Sequence, residues 1–345
     1  MKFLIYFLLI GGSLIMAEYE PEPIKNIIKR MIIEPKVSNV LSSNEHNLSL
    51  TPKGDIGGSM RTIVWKGFFD KIPVAIKITL DKEAFDREIR IFEALDAIKN
   101  PAIENHGIPN VYYHGPIFLK NCYAIAMTLC DESINDRFEK EDEDFSDLSI
   151  LHILKQGIEI LQYLSSRNVI HNDISPHNMF LRGSKVFKVF IGDFDCAVLR
   201  GEFYDGHTFK YASSRMFKKP IPTRYERDDL ESLVYSMWFF AGCDSIISDG
   251  CDLFKSKEIG QAKTQMMEKC KYFENDDVRK AFEVIAADEM ISEKDVPDFK
   301  RMIDVLAEAI KRIHEVPTPP QFECLTEETS SVCGRFPAKS FGKTK

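Results

Sequence analysis

A chain of 345 residues, 44% hydrophobic and 28% charged, is long enough to bury a substantial core and too apolar to be disordered over most of its length. Its 53 acidic residues outweigh 45 basic ones to give a formal net charge of −8, which argues against a general nucleic-acid binder, because neutralising phosphates takes a basic surface. The eight cysteines are scattered, with no Cys-x-x-Cys pair and no histidine spacing for zinc.

Residues 1–17, MKFLIYFLLIGGSLIMA, hold one Lys, an apolar run and a small residue, Ala17, at a plausible cleavage point. The pattern reads as a signal peptide, and about fourteen apolar residues interrupted by Gly and Ser are short for a membrane span. An uncleaved anchor or a spurious upstream start are the alternatives. A signal peptide would place the protein outside the cell or in an endomembrane lumen, with no stable membrane span after cleavage; without one it is cytoplasmic. Asn47-Leu48-Ser49 is a lone glycosylation sequon, and in a secreted chain Cys243–Cys251 or Cys324–Cys333 could pair.

Residues 18–54 form a mixed polar lead-in, and from about 61 the pattern alternates as strands do. RTIVWKGFF and IPVAIKITL are two strands joined at Asp70-Lys71, with Ala75, Lys77 and Thr79 on one face of the second. A helix is expected from about 82 to 97, then strands in GIPNVYYHGPIF and CYAIAMTL. From 146 the chain turns helical. DLSILHILKQGIEILQYLSSRN, ERDDLESLVYSMWFF and VPDFKRMIDVLAEAIKRI are helices, and KVFKVFIGDFD is a buried strand before a turn. Beyond about 316 the composition is that of a flexible tail. The plan is α+β and bilobal: a small sheet-rich lobe with one helix (about 55–128), a larger helical lobe (about 131–315), and a cleft between them.

A lone Lys on a strand is usually just solvated, but Lys77 has a partner. In DKEAFDREIRIFEAL, Glu88 shares a face with Ala84, Phe85, Ile91, Phe92 and Leu95, while Glu93 falls off it. A carboxylate on an apolar stripe is costly unless a cation meets it, and Lys77 is the obvious one. Such a Lys–Glu pair holds nucleotide phosphates in phosphotransferases. In VIHNDISPHNMFL, Asp173 and Asn178 are five residues apart and could be plain turn residues. That reading weakens because GDFD brings Asp193 to the same cleft twenty residues later. Asp193 and Asn178 are hard oxygen ligands suited to Mg²⁺ bridging a triphosphate, which leaves Asp173 to accept the proton of an attacking hydroxyl. A phosphate-cradling glycine loop is poorly represented: counted back from Val64, its three positions fall on Gly57, Ser59 and Thr62.

Over roughly residues 55 to 312 the chain resembles a eukaryotic protein kinase, and more narrowly the casein kinase I group that includes the vaccinia-related kinases. The resemblance rests on GIPNVYYHG, AMTLCDESINDRF, TFKYASS, RDDLESLVY and VPDFKRMIDVL. The pieces DIS and DFD also look like a set of divergent fungal-type kinases. The resemblance implies ATP and Mg²⁺ as cofactors, a protein substrate and a monomer. It implies a gatekeeper at Met127, hinge backbone groups from Thr128 and Cys130, Phe180 below the adenine, and Val64 and Ala75 above it. It implies that Asp229 braces the catalytic loop, and that Lys210 with Arg215, Lys218 and Lys219 forms a basic patch for acidic or phosphorylated substrate, unless that patch is ordinary surface.

Three positions depart from the family pattern. Asn172 replaces the Arg that reads activation-loop phosphorylation, so such phosphorylation should be dispensable. Ser175 replaces a Lys that steadies the γ-phosphate, although a hydroxyl can still hydrogen-bond Asp173. Asp195 replaces the Gly of D-F-G and adds a charge near the metal site. The expected activity is a slow Ser/Thr protein kinase using Lys77, Glu88, Asp173, Ser175, Asn178 and Asp193. A pseudokinase and a small-molecule kinase are the competing readings.

Overall fold

The computed structural model describes residues 7–10, 13–16, 26, 47–58, 62–117, 121–140, 145–183, 187–203, 211–217, 223–240, 276–289 and 296–315. Ser59, Lys210, Lys218, Lys219, the residues after 315 and the cysteines at 243, 251, 324 and 333 lie outside that set. Within the first seventeen residues, β1 (Phe7–Ile10) and β2 (Ser13–Met16) pair antiparallel, Phe7 opposite Met16.

The small lobe is a five-stranded antiparallel sheet in the order β3-β4-β5-β7-β6. Its strands are β3 (Leu48–Gly58), β4 (Thr62–Phe69), β5 (Ile72–Thr79), β6 (Val111–Pro116) and β7 (Tyr123–Thr128). The β4–β5 turn falls at Asp70-Lys71 as the pattern predicts, with Asp70 at a left-handed φ of 55°. Apolar side chains fill both faces of β5. Val74, Ile76 and Ile78 join Leu48, Ile63 and Trp65 on one side, and Ala75 faces the main core on the other.

Strand β3 was not expected, because it begins inside the polar lead-in. Pro52 and Gly54 break its alternation, and its register against β4 shifts twice between Leu50 and Gly57. The glycine that this hairpin requires is Gly58: its φ is 130°, and a Cβ there would lie 2.4 Å from the Thr62 carbonyl oxygen. Gly57 pairs with Val64 at φ 156°, with open space where a Cβ would be.

Helix α1 (Lys82–Ala94) starts on an Asp81 cap that accepts from the Ala84 amide at 3.1 Å. It stops short of 97 because Asp96 turns left-handed, φ 55°. The Asp96 and Ala97 amides then reach back to the Glu93 and Phe92 carbonyls, a Schellman ending with Ala97 and Phe92 both buried.

In the larger lobe, β8 (Glu132–Ser133) leads into α2 (Ile134–Lys140), and α3 (Asp147–Ser166) runs through the centre from a Ser146 cap. Short strands follow: β9 (Val169–Ile170), β10 (Met179–Arg182), β11 (Lys188–Ile191) and β12 (Val198–Leu199). They pair as β11-β10-β8 and β12-β9. Helices α4 (Glu226–Phe240), α5 (Asp276–Glu289) and α6 (Phe299–Glu315) complete the described lobe. The apolar residues Leu230, Leu233, Val234, Met237 and Trp238 of α4 are all buried. Gly157 lets α3 and α4 meet closely, since a Cβ there would be 2.9 Å from Leu233. One apolar cluster joins Ala75 and Met127 in the sheet to α1, α3, α4 and α6, so the two lobes share a core across the hinge. Among the described residues no helix is long and apolar enough to cross a membrane.

Candidate active site

Lys77 is 5% exposed and Glu88 1% exposed, so both charges are out of water. Strand β5 points the ammonium at α1, where Nζ lies 3.1 Å from Glu88 Oε1 and 3.0 Å from Oε2. The pairing expected from the apolar stripe is therefore present. Glu93 is exposed. Two more carboxylates close on the same ammonium from the other lobe, Asp193 Oδ1 at 2.8 Å and Asp195 Oδ1 at 2.6 Å. Burial opposes the charge on Lys77, but three carboxylates outweigh it and hold the ammonium well above its usual range. Three acids around one cation leave negative charge in excess. The most deeply buried of them, Glu88, is pushed up to about 8 by desolvation, against the pull of Lys77.

The catalytic-loop candidate hangs between β9 and β10. His171 is fully buried, and burial lowers its pKa. Its Nε2 donates to the Gly192 carbonyl at 3.1 Å and its Nδ1 accepts from the Asp173 amide at 3.3 Å. Asp229, on α4, accepts from the His171 and Asn172 amides, which is the bracing role expected for it. The Asn178 side-chain amide donates to the Asp173 carboxylate at 3.0 Å and to its carbonyl at 2.9 Å. Asp173 and Asn178 are thus locked together across the turn. Ser175 is 1% exposed, and its carbonyl accepts from the Asn178 amide at 3.0 Å, closing the turn.

Asp193 follows β11 in a left-handed conformation, φ 60°, which aims its half-exposed side chain at the cleft. Partial desolvation works against its ionisation, but the Lys77 ammonium outweighs that and lowers its pKa. Phe194 points the opposite way and is fully buried, with ring centroids 5.2 Å from Phe92 and 4.9 Å from His171. That wedge fixes α1, the loop and Asp193 relative to one another.

A family profile for protein tyrosine and serine/threonine kinases matches residues 50–209. The chain is 26% identical over 221 residues to the probable casein kinase I homolog of Encephalitozoon cuniculi (strain GB-M1), covering 58% of this chain and 67% of that protein. A solved structure of vaccinia related kinase 3 superposes with a TM-score of 0.64 at 12% identity, over 84% of this chain and 96% of the other. The fold is that of a protein kinase. Within that fold, the chain is similar to the casein kinase I homolog and to vaccinia related kinase 3.

In this kinase-like frame Ala75, Met127 and Val64 belong to, or pack on, the cluster that lines the interlobe side of the sheet, and Ala75 pairs with Met127. The Thr128 amide is committed to the Asn110 carbonyl at 3.0 Å, and its hydroxyl donates to Glu104 at 2.7 Å. Cys130 is partly buried, and desolvation pushes its thiol up to about 12. Phe180 lies across Gly192, within 3.2 Å of where a Cβ would be.

Arg215 does not belong to a surface patch. It is buried, its Nε lies 3.0 Å from Asp228, and its guanidinium stacks over Tyr225. Sequence reading also missed the contact of Asp195 with Lys77, and the Asn172 side chain donating to the Cys196 carbonyl at 2.9 Å. Both involve residues noted only as departures from the family pattern.

Proposed function

We propose that this chain is a slow protein kinase that transfers the γ-phosphate of ATP to Ser or Thr hydroxyls of protein substrates, acting as a monomer. The observation that carries the reading is the convergence on one cleft of Lys77, paired to Glu88 and Asp193 from opposite lobes, with Asp173 locked to Asn178. The Lys77 ammonium would bind phosphate oxygens. The Asp173 carboxylate, held by Asn178, would orient the substrate hydroxyl and accept its proton. The donor set of Asp193 carboxylate and Asn178 amide oxygen fits Mg²⁺, a hard cation that takes oxygen ligands. When bound, Mg²⁺ supplies charge neutralisation to the phosphates. Met127, Val64, Ala75 and Phe180 would enclose the adenine, and the Thr128 carbonyl and the Cys130 backbone would meet its edge. Gly57, in β3, would lie over the phosphates, a part that the sequence also assigns to Ser59. Residues 1–17 would direct export.

The second reading is a pseudokinase, favoured by the contact of Asp195 with the ammonium a nucleotide needs. A radiolabelled-ATP assay on acidic protein substrates, comparing wild type with Asp173→Ala, separates the two. Transfer by wild type that the variant loses supports the kinase. Equal incorporation by both proteins sinks catalysis, and MgATP binding without transfer by wild type favours the pseudokinase. Mass spectrometry of the mature N-terminus tests export.

A further inference from the structure

Lys77 has three ammonium hydrogens and, in this structure, three carboxylate partners. Every donor is used inside the protein, so a phosphate oxygen can reach Nζ only by displacing one of them. Glu88 is the least displaceable, being enclosed by the apolar face of α1. Asp193 has work of its own in the proposed reaction. Asp195 has the shortest contact of the three, 2.6 Å, and no other role in that chemistry.

Its placement is built rather than incidental. The Asp195 carbonyl accepts from Arg87 Nε of α1 at 3.3 Å, and the next carbonyl, Cys196, accepts from the Asn172 side chain at 2.9 Å. Backbone anchors from both lobes therefore hold the segment so that the carboxylate faces Lys77. Asn172 and Asp195, two departures from the family pattern, are coupled through one short 3₁₀ turn, Phe194–Cys196.

We propose that Asp195 is a resident competitor of the nucleotide's phosphates for Lys77, a positioning residue that weakens nucleotide binding by occupying the ammonium. The proposal rests on the nucleotide-binding reading above. A phosphate group entering the cleft meets the Asp195 charge at close range and must expel it from Nζ. The penalty is largest for a nucleotide that arrives without a divalent cation, because the added charge is then unscreened.

The test uses the full chain, as wild type, Asp195→Asn (same shape, no charge) and Asp195→Ala, with circular dichroism and melting to show that each is folded. Calorimetric titration with ADP, with and without Mg²⁺, reads affinity. Labelling of Lys77 by a small amine-reactive ester, quantified by mass spectrometry without nucleotide, reads release of the ammonium. Both variants should bind ADP about tenfold tighter than wild type, the scale of one charge-assisted hydrogen bond. The gain should be larger without Mg²⁺, and Lys77 should label faster. Unchanged or weaker ADP binding in the variants, with wild type still binding, overturns the competition and leaves the nucleotide reading intact. Weaker binding confined to Mg²⁺ would assign Asp195 to the metal instead. Failure of all three proteins to bind ADP overturns both readings, and faster labelling in that case would show an internal charge clamp unrelated to nucleotide.

Discussion

Asp229, on α4, holds the backbone amides of His171 and Asn172 on its two carboxylate oxygens, at 2.6 and 2.8 Å. One buried side chain thereby fixes the segment that leads directly into Asp173. Burial raises the Asp229 carboxyl from its ordinary 3.8 to about 7, with the two amides pulling the other way. The folded state therefore binds this proton more tightly than the unfolded chain does. Stability from the group is fully present below about pH 4 and is lost as pH rises through about 7. Denaturant unfolding of wild type and Asp229→Asn from pH 5 to 8 checks the sign. The wild-type advantage over the variant should shrink as pH rises, and a difference that grows with pH contradicts the assignment.

Lys77 and Glu88 separate stability from function. Lys77→Met leaves Glu88 buried without its cation; because burial already pushes this carboxyl up to about 8, it takes up a proton at neutral pH, and the loss should be about 1–3 kcal/mol, the cost of a buried polar group left without its partner. Adding Glu88→Leu should recover much of that loss, because an apolar pair replaces the ion pair on an already apolar face. Transfer and nucleotide binding should stay lost in the double variant. Unfolding free energies and ADP titration on the four proteins of the cycle measure both effects. Full additivity of the two substitutions would argue against a direct pair.

Much of the candidate site is legible in the sequence, for a physical reason. Glu88 announced itself because a carboxylate on an apolar stripe demands a cation, and Asp173, Asn178 and Asp193 because hard ligands recurred at the ends of apolar segments. The strands and long helices followed from periodicity. Strand β3 was hidden by Pro52, Gly54 and its bulges, which erase period-two alternation. Arg215 looked like surface because a basic residue among lysines carries no sequence mark of the Asp228 that buries it. The contact between Lys77 and Asp195 spans 118 residues and depends on the conformation of one short turn, which no pattern reports.

Phe194 should be the costliest apolar residue in the cleft to remove. Its ring fills the space between Phe92 of α1 and His171 of the loop. Phe194→Ala should destabilise the fold by about 3–5 kcal/mol, the usual range for deleting a buried phenyl ring. Phe194→Leu should cost less, since it keeps most of the volume. Both should weaken ADP binding, because the wedge that aims Asp193 is lost. Equilibrium denaturation with calorimetric titration reads the two effects, and a Phe194→Ala protein as stable as wild type would remove the wedge from the account.

Asn172 combines a backbone requirement with a side-chain one. Its φ is 67°, a conformation that costs most L-residues roughly 1–2 kcal/mol and that Asn tolerates better than most. Its amide also donates to the Cys196 carbonyl, a bond worth about 1 kcal/mol. Asn172→Gly removes only the bond, whereas Asn172→Ala removes the bond and strains the backbone. Alanine should therefore be the more destabilising of the two in denaturant unfolding. Both variants should loosen the Asp195 turn and so raise the labelling rate of Lys77. Because this anchor pins the segment without a phosphate, phosphatase treatment of the wild-type protein should leave its transfer rate unchanged. A rate that collapses after dephosphorylation would show that Asn172 does not replace a phosphate-reading arginine.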